Sequence, residues 1–286
     1  MLHFTNLIKM IQIYQLVIFI LNFQMATTLM TTVLPSSVII GASFFKKPDY
    51  QRPKTNFNCI NYFKPWYDSI HRLNLHGVLL YDNLHLKIIS KYQTNLFTFH
   101  YVNTRLYSQQ LWAGDWRLLA ALSYLENRTY IKYVTLTDVS DVTFNKNPVE
   151  FFQKHPEKKL FFSFEAAGNR DWMQIYWKKC LSKKYPVRQT KIYAVGMFAG
   201  EYSYIVQHLN LTKYYLLSSV LKIGSGTCDM ITHNLAIYNF WTNKSIIWEE
   251  GQPLYNKIKT IYGEPGEPSS KLSLYYMVHQ HRTLKC

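Results

Sequence analysis

Short apolar runs alternate with helix-period stretches along most of this chain. Val38–Phe44, Gly77–Tyr81, Leu96–Tyr101, Tyr133–Leu136 and Leu160–Phe164 are almost free of charge, as strands buried on both faces of a sheet are. Between them Trp66–Leu75, Asn83–Tyr92 and Asp115–Leu125 repeat their apolar positions at helical spacing, and Glu201–Leu217 and Asp229–Trp241 follow as further helices. A β-α-β order of this kind predicts right-handed crossovers and a mostly parallel, doubly wound sheet. The Gly- and Pro-rich stretch Gly251–Ser270 reads as a loop over the functional face. No repeat divides the pattern, so one domain is expected from residue 36 to residue 286.

The first 35 residues follow a different rule. No charge occurs between Lys9 and Lys46, and Met10–Phe23 is a compact apolar segment followed by a Thr-rich stretch up to Pro35. This is the pattern of a signal anchor or of the apolar region of a cleaved signal peptide, and an ordinary buried helix is the competing reading. Either targeting reading puts the rest of the chain in the secretory pathway. There the four cysteines, Cys59, Cys180, Cys228 and Cys286, could form one or two disulfides; they lack the spacing of a metal site. Sequons stand at Asn127, Asn210 and Asn243, about as many as chance supplies.

Charge adds one constraint. Thirty-two Lys and Arg against 17 Asp and Glu leave a net charge of +15, which favours an anionic partner such as a phosphate-bearing molecule or an acidic membrane surface. The basic residues are scattered in pairs such as Lys46-Lys47, without the run or module of a nucleic-acid binder, so nucleic acid is not an expected partner.

The sharpest chemical feature is the strand Tyr133–Leu136 running directly into Asp138 and Asp141. Ligands of open α/β sheets gather outside the carboxyl ends of the strands. Two carboxylates placed there repel each other unless a cation lies between them, and Mg²⁺ or Mn²⁺ prefers such oxygen ligands. The alternative is that Asp138 caps a turn and Asp141 is a solvated loop residue, with Asn145, Asn147 and Pro148 starting the next helix.

The stretch Leu136–Phe152 (LTDVSDVTFNKNPVEFF) resembles the metal-binding strand of nucleotide-sugar-dependent glycosyltransferases of the GT-A fold. Six other segments resemble parts of that family in the family's order: Val38–Arg52, Trp66–Asp82, Gly114–Arg117 (GDWR), Ile192–Gly200 (IYAVGMFAG), Cys228–Asn234 and Tyr276–Arg282 (YMVHQHR). Ala194 and Ala199 depart from the pattern where the family has Asn and Gly in a turn and helix start near the donor sugar, and the acidic pair is DxxD where the family has DxD.

The resemblance implies a GT-A-type α/β domain with a Rossmann-like sheet, acting as a hexosyl- or related transferase in the Golgi lumen behind an N-terminal membrane segment. The donor would be a nucleotide sugar, UDP-linked by preference, and the acceptor a glycan, glycoprotein or glycolipid. It further implies that Asp138, Asp141 and His279 hold Mn²⁺ or Mg²⁺, with His281 the alternative imidazole. Ser43, Asp82, Asp115, Arg117, Asp138 and Gly196 would line the nucleotide-sugar site. Glu165 and Asp229 would face the acceptor, one of them as general base, while Asp229 could equally cap a helix. Trp172, Tyr176 and Trp177 would stack on a sugar or fill the core. The alternative from another class is a non-catalytic descendant of the fold that binds a glycan or a partner.

Overall fold

The computed structural model describes residues 35–47, 60–105, 111–166, 171–181, 191–223, 227–241, 247–248, 254–257 and 276–280. Side chains at 164–166, 171–172, 191, 219–223, 247–248, 254–257 and 279–280 are outside the description. Contacts divide the chain at Pro35: Ser36–Cys286 forms one compact unit, and the apolar N-terminal segment falls outside the described residues. Among the described residues no helix is long and apolar enough to cross a membrane.

A seven-stranded sheet organises the Ser36–Cys286 unit. In chain order its strands are β1 (Ser37–Ser43), β2 (Gly77–Tyr81), β3 (Phe97–Tyr101), β4 (Tyr133–Thr137), β6 (Leu160–Ala166), β7 (Lys191–Glu201) and β8 (Ile247–Trp248). They lie in the order β3-β2-β1-β4-β7-β6-β8, and β7 alone runs against the others. A second, three-stranded sheet pairs β5 (Val142–Phe144) with β10 (Met277–Gln280), and β10 with β9 (Leu254–Lys257).

Helices cover both faces, and this is why the strands read as unbroken apolar runs. Val38, Ile40, Val78, Leu80, Val134, Leu136, Leu160 and Phe162 pack on one side against α3 (Ala113–Leu125), α6 (Tyr202–Ile223) and α7 (Asp229–Phe240). Their neighbours in sequence, Ile39, Leu79, Tyr133 and Phe161, point the other way and pack against α1 (Lys64–Arg72) and α4 (Pro148–Lys154). The period-2 alternation of a strand thus feeds two cores at once. α2 (Leu86–Tyr92) buries none of its residues, and α5 (Asp171–Leu181) adds Met173, Trp177 and Cys180 to the first core.

The first five predicted strands form within a residue or two of their expected places, and α7 starts at Asp229 as expected. Two expectations change. Ile192–Gly200 is no turn and helix start but the middle of the 11-residue strand β7, where it pairs with both β4 and β6. Within Gly251–Ser270, Leu254–Lys257 is strand β9, and the rest of that stretch lies outside the described residues.

Candidate functional site

The strand order reverses between β1 and β4. From β1 the chain winds outward through β2 to β3, then crosses back to β4 on the opposite side of β1. The crevice outside the carboxyl ends of these two neighbours is where an open α/β sheet binds ligands. β1 ends at Ser43 and β4 at Thr137, so Asp138 stands on this crevice.

Close packing fixes the loop that follows β4. The Trp66 indole donates to the Thr137 hydroxyl at 2.8 Å, and the Asp138 amide donates to the Gly196 carbonyl of β7 at 2.7 Å. Gly41 in β1 lies directly under Val139; a β-carbon there would come within 2.2 Å of Val139 Cγ1 and 2.9 Å of the Trp66 ring. Beyond the loop, Ser69 Oγ accepts from the Phe144 amide at 3.1 Å and the Arg72 guanidinium donates to its carbonyl at 2.8 Å, which clamps β5 to α1. Asp141 is 3% exposed and accepts from Ser140 Oγ at 3.1 Å, so it is not the solvated loop residue of the alternative reading. As the Asn-Pro pair suggested, Asn147 caps α4 and accepts from the Val149 amide at 3.1 Å.

Arg117 is the electrostatic centre of the crevice. From α3 its guanidinium pairs with Asp138 and, at 3.0 Å, with Asp229 at the start of α7. Gly114 allows the approach, since a β-carbon on it would stand 2.6 Å from Asp229 Oδ2. The other Asp229 oxygen accepts from Thr227 Oγ1 at 2.9 Å and from the Met230 amide at 2.8 Å.

Several expected donor ligands turn out to face inward. Asp115 is fully buried, and its oxygens accept from the Cys228 amide at 2.8 Å and the Trp112 amide at 3.2 Å. Burial, reinforced by the nearby Asp229 charge, raises its pKa well above the carboxylate range. Asp82 accepts from the Phe45 and Lys46 amides at 2.7 and 2.9 Å and from Thr104, tying the end of β1 to the ends of β2 and β3. Its pKa is raised by burial, against the pull of those amides. Both carboxylates hold the frame behind the crevice and have little surface to offer a ligand.

Ser43 is 2% exposed, with a hydroxyl that has no hydrogen-bond partner among the described residues. A buried polar atom left unpaired costs about 1–3 kcal/mol, which a ligand group reaching the end of β1 would relieve. Lys47, absent from the expected set, places its ammonium 5.3 Å from the centre of the Trp116 ring beside Ser43's strand end. Burial lowers its pKa, partly offset by Asp82. Its one sequence signal was the Lys46-Lys47 pair directly after a strand.

The remaining expected residues divide between placed and undescribed. Gly196 is next to Asp138 through its carbonyl. Ala194 and Ala199 are 1% and 0% exposed inside β7, so small residues there serve packing. Trp177 is 3% exposed and stacks near Tyr238, a core residue and no platform; Tyr176 packs against the same core. Backbone register sets Glu165 opposite Ile192 and His279 opposite Val142, one residue from Asp141. The side chains of Glu165, His279 and Trp172, and all of His281, lie outside the described residues. Among the described residues no three His, Cys, Asp or Glu side chains converge as a metal cage.

Two features support the crevice from behind. Cys180 of α5 is disulfide-bonded to Cys228, the residue before Asp229, while Cys59 and Cys286 are outside the description. One turn further along α7, on the same face as Asp229, His233 joins a fully buried chain of hydrogen bonds. Trp241 Nε1 donates to His208 Nδ1 at 3.1 Å, and His208 Nε2 lies 2.9 Å from His233 Nδ1. An indole can only donate, so His208 carries its proton on Nε2 and donates to His233, which carries its own on Nε2. That last N–H has no partner among the described residues. Burial lowers the pKa of His208 to about 3 and that of His233 well below normal, the latter helped by His208 and Arg117.

Compared with known proteins, the chain matches no family model, and no curated sequence is significantly similar to it.

Proposed function

We propose that this protein is a metal-dependent glycosyltransferase that moves a sugar from a nucleotide-diphosphate donor, UDP-linked by preference, to a hydroxyl of a glycan, protein or lipid in the secretory pathway. One observation carries the reading. β10, from the far end of the sequence, pairs with the short strand that follows Asp138 and Asp141, and so brings the backbone of His279 to the residue beside Asp141 at the strand-order reversal. Seven segments resembling the family's parts in GT-A order support it from the sequence, though Ile192–Gly200 forms a strand where the family has a turn and helix start.

Two carboxylates and an imidazole make a donor set that suits Mn²⁺ or Mg²⁺, and Asp138, Asp141 and His279 would hold the ion. An ion held there would supply positive charge to offset the negative charge of the departing diphosphate. The chain's own groups do the rest. Arg117 and Lys47 attract and orient the anionic donor, and the free Ser43 hydroxyl offers a hydrogen bond to its nucleoside end. Asp229 has both oxygens engaged, one by Arg117 and the other by Thr227 and the Met230 amide. Its place beside Arg117 suits it to hold a donor hydroxyl, so the base that takes the acceptor's proton is assigned to Glu165 on β6. Asp115 and Asp82 act as positioning residues.

The test is release of UDP from a panel of UDP-hexoses by the purified full chain, with Mn²⁺ and with EDTA. Metal-dependent release that speeds up with an added glycan acceptor supports the proposal. No release from any donor in either condition overturns the enzymatic reading and leaves the non-catalytic glycan binder.

A further inference from the structure

We infer that Asn127 is a site of N-linked glycosylation and that Asn210, which has the same sequence motif, is not. The inference rests on the secretory-pathway part of the reading above, not on the transferase activity.

Enzymatic N-glycosylation must reach an Asn amide nitrogen together with the hydroxyl two residues later. The turn between α3 and β4 presents both. Asn127 and Thr129 are exposed, and their side chains have no partner among the described residues. The residue between them is turned inward: the Arg128 guanidinium lies 3.9 Å over the Tyr124 ring and donates to the Tyr124 carbonyl. The Arg128 amide donates to Leu125 O at 2.9 Å, and its carbonyl accepts from Ile131 N at 3.0 Å. The turn is therefore held by its middle residue, with the reactive amide and the hydroxyl left outward.

Asn210 sits inside the 22-residue helix α6. Two residues along a helix are about 200° apart around its axis, so the amide and the hydroxyl point to opposite sides. Thr212 is 1% exposed and donates to His208 O at 2.9 Å, while Asn210 Nδ2 donates to Val206 O at 3.0 Å. Asn243 lies outside the described residues.

The turn precedes β4, and Asp138 follows it, so the glycan would leave from the end of the sheet opposite the crevice. Five strand residues separate the two ends by roughly 17 Å. The co-reactant is a lipid-pyrophosphate-linked oligosaccharide. Asn127 Nδ2 forms a bond to the anomeric carbon of its first sugar, the bond from that carbon to the pyrophosphate oxygen breaks, and one amide proton is lost to a base of the transferring enzyme.

The test is expression of the full chain in a eukaryotic cell, with the gel shift on peptide N-glycanase treatment and peptide mass spectrometry as readouts, and with thiol alkylation reporting the Cys180–Cys228 disulfide. Wild-type and Asn210→Gln chains should lose the same number of glycans on treatment. Asn127→Gln and Thr129→Ala should each carry one fewer. A bare Asn127 in a chain whose Cys180 and Cys228 are bonded overturns the inference and leaves the compartment intact. So does a glycan on Asn210 with Asn127 bare. A bare Asn127 with both cysteines free overturns the compartment reading and this inference with it.

Discussion

Arg117, in the second turn of α3, bridges Asp138 at the end of β4 to Asp229 at the first turn of α7. One guanidinium thus ties three elements together at the crevice, and Arg is suited to this because its planar fork can serve two carboxylates at once. Both acids and the guanidinium are mostly buried, 12–18% exposed at their side chains. Removing the cation alone leaves two neighbouring carboxylates uncompensated.

Arg117→Met should therefore lower stability by about 3 kcal/mol. It should also abolish detectable donor binding. Arg117→Lys keeps the charge but not the fork, and should recover much of the stability with little of the binding. Urea unfolding and UDP titration on the three chains check both parts. Equal binding by Lys and Arg would show that only charge matters.

Gly41→Ala tests how the loop after β4 is held. The added methyl has no room beside Val139 and Trp66, so the loop must move or the strand must strain. The expected cost is about 1–3 kcal/mol, with a loss of Mn²⁺-dependent UDP affinity larger than the stability loss explains. Chemical denaturation and calorimetric titration measure the two separately.

The buried histidines set the acid side of the stability profile. His208 and His233 stay neutral in the folded chain, with pKa values pushed below the ordinary 6.5. Below pH 6.5 the unfolded chain binds protons that the folded chain cannot, so stability falls as pH falls, by up to about 1.4 kcal/mol per pH unit per histidine. Asp115 works in the opposite sense: its raised pKa means that the folded chain holds a proton the unfolded one releases above pH 3.8. Asp82, whose pKa burial also raises, acts in the same sense as Asp115, while burial lowers His76 and His100 as it does the buried pair, so four histidines against two carboxylates leave a net loss between pH 6.5 and pH 5. Urea midpoints at pH 7, 6 and 5 should decline in that order, and a flat profile would contradict the buried neutral pair.

The Cys180–Cys228 bond closes a loop with a sequence separation of 48 and ends beside Asp229. Replacing both cysteines by Ala should cost about 4 kcal/mol on the chain-entropy account. Because Cys228 also supplies the amide that Asp115 accepts, the double variant should lose donor affinity as well. Thermal melts with and without a dithiol reductant give the first, titration the second.

Much of the frame was legible because buried parallel strands advertise themselves. Val38–Phe44 and Gly77–Tyr81 lack charge since helices cover both of their faces. β7 was not legible as a strand: IYAVGMFAG has two glycines and two alanines, and only its position between β4 and β6 extends it. At the site, Asp138 and Gly196 were found by motif, and the structure brings them together. The role of Asp82 and Asp115 was not legible, because the backbone amides they accept come from residues 36 and 113 positions away. A carboxylate at a strand end looks the same in sequence whether it faces a ligand or a buried turn. Trp66, whose indole fixes Thr137 across 71 positions, gave no signal beyond its size.

The proposed metal-dependent nucleotide site lies at the ends of β1 and β4. The most direct measurement is calorimetric titration of UDP into the full chain with Mn²⁺, with EDTA, and with Asp141→Asn in Mn²⁺. Saturable binding is expected in the first condition alone. UDP binding that survives EDTA or the Asp141→Asn change would contradict the metal site, and no binding in any condition would contradict the nucleotide site itself.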